Sequence, residues 1–124
     1  MSGKIKVLAI TEATYLHSGY AVYWNHILRQ LYQSGKYDIA EFATFVDPIN
    51  NKLETIPWKC YPNIPPDMDV DTFREWSKNP MNNFGQFMFN EIALDFQPDV
   101  VIHAGDWWMQ KYVNESPYRK HFKY

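Results

Sequence analysis

The sequence has very little cysteine, no long hydrophobic run and no excess of basic charge. Cys60 stands alone in 124 residues, which excludes an internal disulfide and a zinc site built on cysteine. No stretch approaches the roughly 18 apolar residues of a membrane span, and residues 7–10 are too few for a signal-peptide core. With 12 Lys and Arg against 14 Asp and Glu, nothing favours nucleic acid as a partner. These absences predict a cytoplasmic protein without a membrane span.

What the chain does contain is typical of a globular domain. Hydrophobic residues make up 46% of the sequence and charged residues 21%, and the aromatic share of 18% is high. A length of 124 residues suits one domain, since single domains usually have about 100–200 residues. The chain contains no internal repeat and no linker, so we expect residues 1–124 to form a single domain.

Short apolar runs predict the strands. Residues 5–10 and 99–103 are rich in β-branched residues and are bounded by polar segments, as buried parallel strands are. Residues 39–46 predict a further strand. Residues 56–61 predict a weaker one at the edge of the sheet, because Pro57 and Pro62 cannot donate to a ladder.

The first helix has clear start and stop signals. Ser18 is its predicted N-cap, Gly19 lies in its first turn, and Gly35 is its predicted left-handed C-cap. One face of this helix is apolar: Tyr20, Trp24, Ile27, Leu28 and Leu31.

Three further helices are expected. A capping box at Thr72 and Glu75 predicts a short one. Asn79 as cap and Pro80 at the first position predict a longer one that stops before Pro98. Its predicted apolar side is Phe84, Phe87, Met88, Ile92 and Phe96. A last helix is expected over residues 107–114.

Strands alternating with helices predict an α/β fold, a Rossmann-like parallel sheet flanked by helices. In the order 3-2-1-4, residues 5–10 and 99–103 are adjacent, parallel and buried, and the ligand crevice lies beyond their carboxyl ends. The loops at residues 11–19 and 103–108 meet there. No strand is predicted after the last helix, so the sheet is expected to be half of something larger.

Residues 98–107 carry the most informative motif. The run P-D-V-V followed by His103 and Asp106-Trp107 resembles the end of the fourth strand in GT-B glycosyltransferases of family 4 and the glycogen-synthase kind. Gly105 stands where that family often has a second histidine. The opening of the chain is also similar, with a lysine-rich start, a strand, Ser18-Gly19, a long helix and Gly35.

The resemblance implies the N-terminal, acceptor-side half of such an enzyme, apparently truncated. The C-terminal domain that would hold most of the nucleotide-sugar donor is absent from the 124 residues. The implied partners are therefore a nucleotide sugar, an acceptor and that missing domain. No essential metal and no cofactor is implied, because helix dipoles and basic side chains meet the charge of the leaving diphosphate.

Two histidines are the catalytic candidates. His103 ends a strand at the crevice, where it hydrogen-bonds a sugar hydroxyl or acts beside a phosphate, unless it is a core histidine. His17 lies in the first loop, where the resemblance implies a histidine base if the enzyme inverts configuration.

Four residues are the ligand-binding candidates. Ser18 and Gly19 offer backbone N–H groups to phosphate oxygens, the alternative being a plain helix entry. Asp106 is read chiefly as an N-cap, and Trp107 offers an aromatic wall to a sugar ring or else packs in the core.

Other functions remain open at this stage. One alternative is a non-catalytic, flavodoxin-like binding module. Residues 101–106 also resemble the Gly-Asp block of calcineurin-type metallophosphatases, but Met109 replaces the second aspartate and no Asp-x-His follows the first strand. The dinucleotide fingerprint G-x-G-x-x-G is missing, which disfavours an NAD site.

Overall fold

A computed structural model describes residues 3–16, 18–46, 56–65, 68–103 and 110–124. Four parallel strands form one sheet in the order β3-β2-β1-β4, which confirms the predicted order 3-2-1-4. The strands are β1 (Ile5–Glu12), β2 (Tyr37–Thr44), β3 (Lys59–Pro62) and β4 (Val100–His103).

Helices cover both faces of this sheet. They are α1 (Gly19–Gln33), α2 (Val70–Trp76), α3 (Pro80–Asn83), α4 (Phe89–Phe96) and α5 (Lys111–Glu115), with a 3₁₀ turn at Arg119–His121. Trp24 and Leu28 of α1 pack on the strand face that carries Val7 and Ala9. Residues of α4 and α5 pack on the opposite face. The fold is therefore a doubly wound, Rossmann-like α/β arrangement.

Helix α1 begins and ends where the sequence predicts. The Ser18 side chain accepts a hydrogen bond from the Ala21 N–H at 3.2 Å, and Gly35 adopts a φ of +71° just after the helix. The predicted inner face is wrong at one position, because Tyr20 is 55% exposed and the neighbouring Ala21 is buried instead.

The longer helix predicted after Asn79 is wrong, because the chain breaks it into α3 and α4. Gly85 lies at the break with a φ of +100°. A Cβ there would lie 2.6 Å from ring carbons of Phe42, so close packing on β2 fixes both the glycine and the break. Phe87 follows the break and is 61% exposed, so its predicted place in the core is also wrong.

The cap of α2 differs from the prediction as well. Asp69 accepts a hydrogen bond from the Thr72 N–H at 2.7 Å, so the helix begins at Val70 rather than at Thr72. Both Asp and Thr are good caps, and the earlier one is used.

Strand β4 is only partly buried, which corrects the expectation of a fully buried strand. Val101 is 1% exposed, but its neighbours along the strand are intermediate. As predicted, no strand follows the last helix among the described residues, but a single bridge does reach the sheet. Lys123 pairs with the outer edge of β4, where its carbonyl accepts from the Val101 N–H at 2.8 Å and its N–H donates to the Asp99 carbonyl at 2.9 Å.

Candidate functional site

The candidate site lies at the carboxyl edge of the sheet, where β4 ends beside β1. Ile10 of β1 is in register with His103, the last residue of β4. Among the predicted site residues, Ser18, Gly19 and His103 are described. His17, Asp106 and Trp107 lie outside the described residues, so their predicted roles stay predictions.

His103 is held by an aromatic partner from the end of the chain. Its imidazole stacks on the Tyr124 ring, with centroids 5.3 Å apart and planes 24° apart. Its Nδ1 lies 2.6 Å from the Tyr124 hydroxyl oxygen. Partial burial lowers the pKa of His103 below its usual value, so the imidazole is neutral near pH 7.

A groove of about 690 Å³ opens beside His103. Its described lining comes from β4, α5 and Tyr124, and combines apolar and polar side chains. Lys111 and Glu115, one turn apart on α5, line the groove and form an ion pair at 3.6 Å. The groove therefore offers apolar surface from Ile102 and the Tyr124 ring, hydrogen-bonding groups, and a locally paired charge.

The start of α1 already holds a carboxylate. The Ser18 hydroxyl donates to the Glu12 side chain while it caps the helix. That negative charge interacts favourably with the positive end of the helix dipole. The Glu12 carboxylate would also repel a phosphate at the same point. Ser18 acts here as a cap, and phosphate binding by Ser18 and Gly19 stays a prediction.

Gly19 leaves open space above the helix entrance. A Cβ at this position would meet no atom of the described residues within 4 Å, and Gly19 itself is exposed. The described lining of the His103 groove includes neither Gly19 nor Ser18. The expectation that Gly19 and His103 touch one ligand therefore stays a prediction.

Sequence reasoning missed a buried carboxylate beside the first loop. Glu41 in β2 is 0% exposed and accepts three hydrogen bonds. The donors are the Thr14 N–H at 2.9 Å, the Thr14 hydroxyl at 2.6 Å and the Trp58 indole N–H at 2.9 Å. An acidic residue inside the apolar run 39–46 was the available signal.

The Glu41 contacts anchor the loop between β1 and α1. Asn25 of α1 donates to the Thr14 carbonyl at 3.1 Å and accepts from the Arg29 Nε at 3.2 Å. The Arg29 guanidinium lies 5.6 Å from the Trp58 ring centroid, and Trp58 in turn donates to Glu41. The contacts therefore return to the carboxylate from which they started. The loop that leads to Ser18 is therefore fixed to both a strand and a helix.

Cys60 lies next to Glu41, and its thiol is unreactive. It is paired with Glu41 in the register of β2 and β3. Burial, and secondarily the charge of Glu41, raises the pKa of the Cys60 thiol well above its usual value. The thiol stays protonated and is a poor nucleophile.

The described residues contain neither a metal-binding cluster nor a membrane-spanning helix. No three His, Cys, Asp or Glu side chains within the described ranges are grouped so that they could hold a metal ion. In the same part of the chain, no helix has both the length and the hydropathy to cross a bilayer.

Comparisons with known proteins support the fold. No family model and no curated protein matches the chain. The C-terminal domain of a hydrogenase from Pyrococcus furiosus has a similar structure, with a TM-score of 0.51 and 17% sequence identity. The match covers 96% of this chain and 88% of that one. At this identity the likeness concerns the fold alone, and function has to be argued from the site.

Proposed function

We propose that this chain is the acceptor-side domain of a GT-B glycosyltransferase of family 4 and the glycogen-synthase kind. In this role it helps to transfer a sugar from a nucleotide-sugar donor to an acceptor. The observation that carries the proposal is the placement of His103. It is neutral and partly buried, it ends β4 in register with Ile10 of β1, and it opens onto a groove lined by β4, α5 and Tyr124. Ligands of doubly wound sheets bind at such a point, where the strand order reverses.

The chemistry of the groove suits a sugar. A sugar ring has apolar C–H faces and a rim of hydroxyl groups, so it needs both apolar contact and directional hydrogen bonds. Ile102 and the Tyr124 ring supply the first, and His103 and Asn114 supply the second. The sequence motif that ends β4 supports the same assignment.

A binding experiment tests the proposal on the chain itself. Backbone amide resonances of the ¹⁵N-labelled chain are followed during titration with glucose, galactose, mannose and N-acetylglucosamine. We expect shifts for residues around His103 and the end of β1. His103→Ala is expected to weaken binding about tenfold, a loss of about 1.4 kcal/mol, because one hydrogen bond is removed. The melting temperature should change little.

His26→Ala is the matched control. His26 is an exposed histidine on α1 whose ring shares a hydrogen bond with the Gln30 side chain. This variant should bind as the unchanged chain does. If His103→Ala lowers stability and leaves sugar binding intact, His103 is a structural histidine and the proposal fails.

The same proposal predicts that the 124-residue chain alone transfers no sugar. The donor would be held mostly by a second Rossmann-like domain, so the acceptor-side domain lacks the contacts that activate the leaving group. Incubation with a panel of nucleotide sugars and acceptors, followed by release of nucleoside diphosphate, is the measurement. Clear turnover would contradict the assignment of donor binding to a second domain.

A further inference from the structure

We propose that Tyr124 is a positioning residue whose hydroxyl holds His103 in the tautomer with its proton on Nε2, so that His103 donates a hydrogen bond to an uncharged sugar. The identity of the ligand rests on the proposed function. The tautomer itself does not, because it follows from the contact between the two side chains.

The short distance between the two side chains indicates which group donates. Hydrogen bonds from N–H groups to oxygen usually measure about 2.7–3.2 Å, whereas those from O–H groups reach about 2.5 Å. The Tyr124 oxygen and the His103 Nδ1 are 2.6 Å apart, within the range for a hydroxyl donor. An unprotonated imidazole nitrogen accepts well, and a phenol donates readily. Nδ1 is therefore the acceptor, and the ring proton sits on Nε2.

The backbone holds Tyr124 in place for this contact. The residue before it, Lys123, makes two hydrogen bonds with the outer edge of β4. The Arg119 guanidinium lies 5.8 Å from the Tyr124 ring centroid and contributes a cation–π contact. Burial is the main cause that raises the pKa of Tyr124 above its usual value, so the hydroxyl keeps its proton.

The fixed tautomer decides what His103 offers a ligand. Within the described residues, no hydrogen bond involves Nε2, and His103 lines the groove. A neutral imidazole that accepts at Nδ1 has no second lone pair in the ring plane, so it donates and does not act as a base. His103 is thereby suited to donate a hydrogen bond from Nε2 to a ligand oxygen.

The charges of the groove favour an uncharged ligand. Lys111 is paired with Glu115, so its charge is balanced locally. Asn114 uses its amide oxygen to accept from the Arg119 Nε at 2.9 Å, which leaves its NH₂ group as a donor. Donors without net charge match sugar hydroxyl oxygens better than a phosphate.

Nitrogen NMR of the histidine rings tests the tautomer without any ligand. The chain is labelled with ¹⁵N-histidine, and His103 is assigned by the loss of its signals in His103→Gln. We expect a protonated Nε2 and an unprotonated, hydrogen-bonded Nδ1 in the unchanged chain. Tyr124→Phe keeps the ring but removes the hydroxyl, so Nδ1 should move to the shift of a solvated ring such as that of His26. A proton on Nδ1, or no change in Tyr124→Phe, overturns the proposal.

Titration of the same samples tests the ligand class, with glucose and inorganic phosphate as probes. Glucose is expected to shift the His103 Nε2 signal, and phosphate is not. Tyr124→Phe should weaken glucose binding about fivefold, while the control Tyr32→Phe, on α1, should not change it. A response to phosphate in place of glucose overturns the ligand class. Response to neither probe, with the expected tautomer, contradicts the proposed function and leaves the role of Tyr124 confirmed.

Discussion

At the scale of single residues, the buried carboxylate of Glu41 has the most demanding environment. Within the described residues it has no ion-pair partner, and its stabilisation comes from the three hydrogen bonds of Thr14 and Trp58. A buried charge is tolerated only when its hydrogen-bonding capacity is used in this way. Because Thr14 belongs to the loop that leads to the candidate site, Glu41 links the interior of the sheet to that loop.

Glu41→Gln should therefore destabilise the fold. One carboxylate oxygen accepts the Thr14 N–H and the other accepts the Trp58 N–H, and neither donor can change its role. An amide has one acceptor oxygen, so either orientation leaves a donor facing a donor. We expect a loss of about 1–3 kcal/mol in the free energy of unfolding, measured by urea titration.

Glu75→Gln is the control for this prediction. Glu75 is exposed and pairs with Lys78 at 2.7 Å, and such surface pairs contribute little. Equal stability of Glu41→Gln and the unchanged chain would show that the three hydrogen bonds contribute nothing that an amide cannot replace.

At the scale of elements, the segment from Asn79 to Phe96 shows where sequence reasoning stops. Asn79 caps α3 as predicted, because a cap depends on local hydrogen bonds. The break at Gly85 depends on contacts distant in sequence. The Tyr112 hydroxyl of α5 donates to the Phe84 carbonyl at 2.6 Å, and the Phe42 ring of β2 fills the space over the glycine. The spacing of apolar residues along one segment gives no information about contacts with distant residues, so the prediction of a continuous helix was wrong.

Gly85→Ala is expected to cost about 3 kcal/mol of folding free energy. The new Cβ would enter the space of the Phe42 ring and the Tyr112 hydroxyl, and the positive φ is itself strained for alanine. The comparison is with Gly19→Ala, which adds a Cβ in open space at a helical position. That variant should be neutral or more stable by up to about 1 kcal/mol. Similar melting temperatures for the two variants would contradict this reading of the break.

At the scale of the whole molecule, the order of strands was predictable and much of the site was not. The alternation of apolar runs, caps and prolines defined the strands in sequence, and the doubly wound order then placed β1 beside β4. The histidine candidates His17 and His103 and the Asp106-Trp107 motif could be named from the chain alone. The role of Tyr124 could not, because it depends on how the last residues pair with β4.

Val101→Asp should prevent folding, because the pairing of β4 with β1 places this side chain in the core. Val101 is 1% exposed, and an unpaired carboxylate there costs several kcal/mol. Val22→Asp is the matched control, since Val22 is 56% exposed on α1. Circular dichroism and amide dispersion of the two variants provide the comparison. A folded Val101→Asp chain would mean that β4 is not an essential strand of the sheet.

The pairing of Lys123 with β4 has a consequence for self-association. An open edge strand is a template on which another chain can add, and the sheet has two such edges. At one edge β3 is four residues long and contains Pro62, which has no N–H to donate, while Lys59 adds charge. At the other edge, Lys123 already occupies the hydrogen-bonding groups of Asp99 and Val101. Both borders of the sheet are thus protected against intermolecular β-addition, and loss of the last three residues would leave β4 as the edge most prone to aggregation.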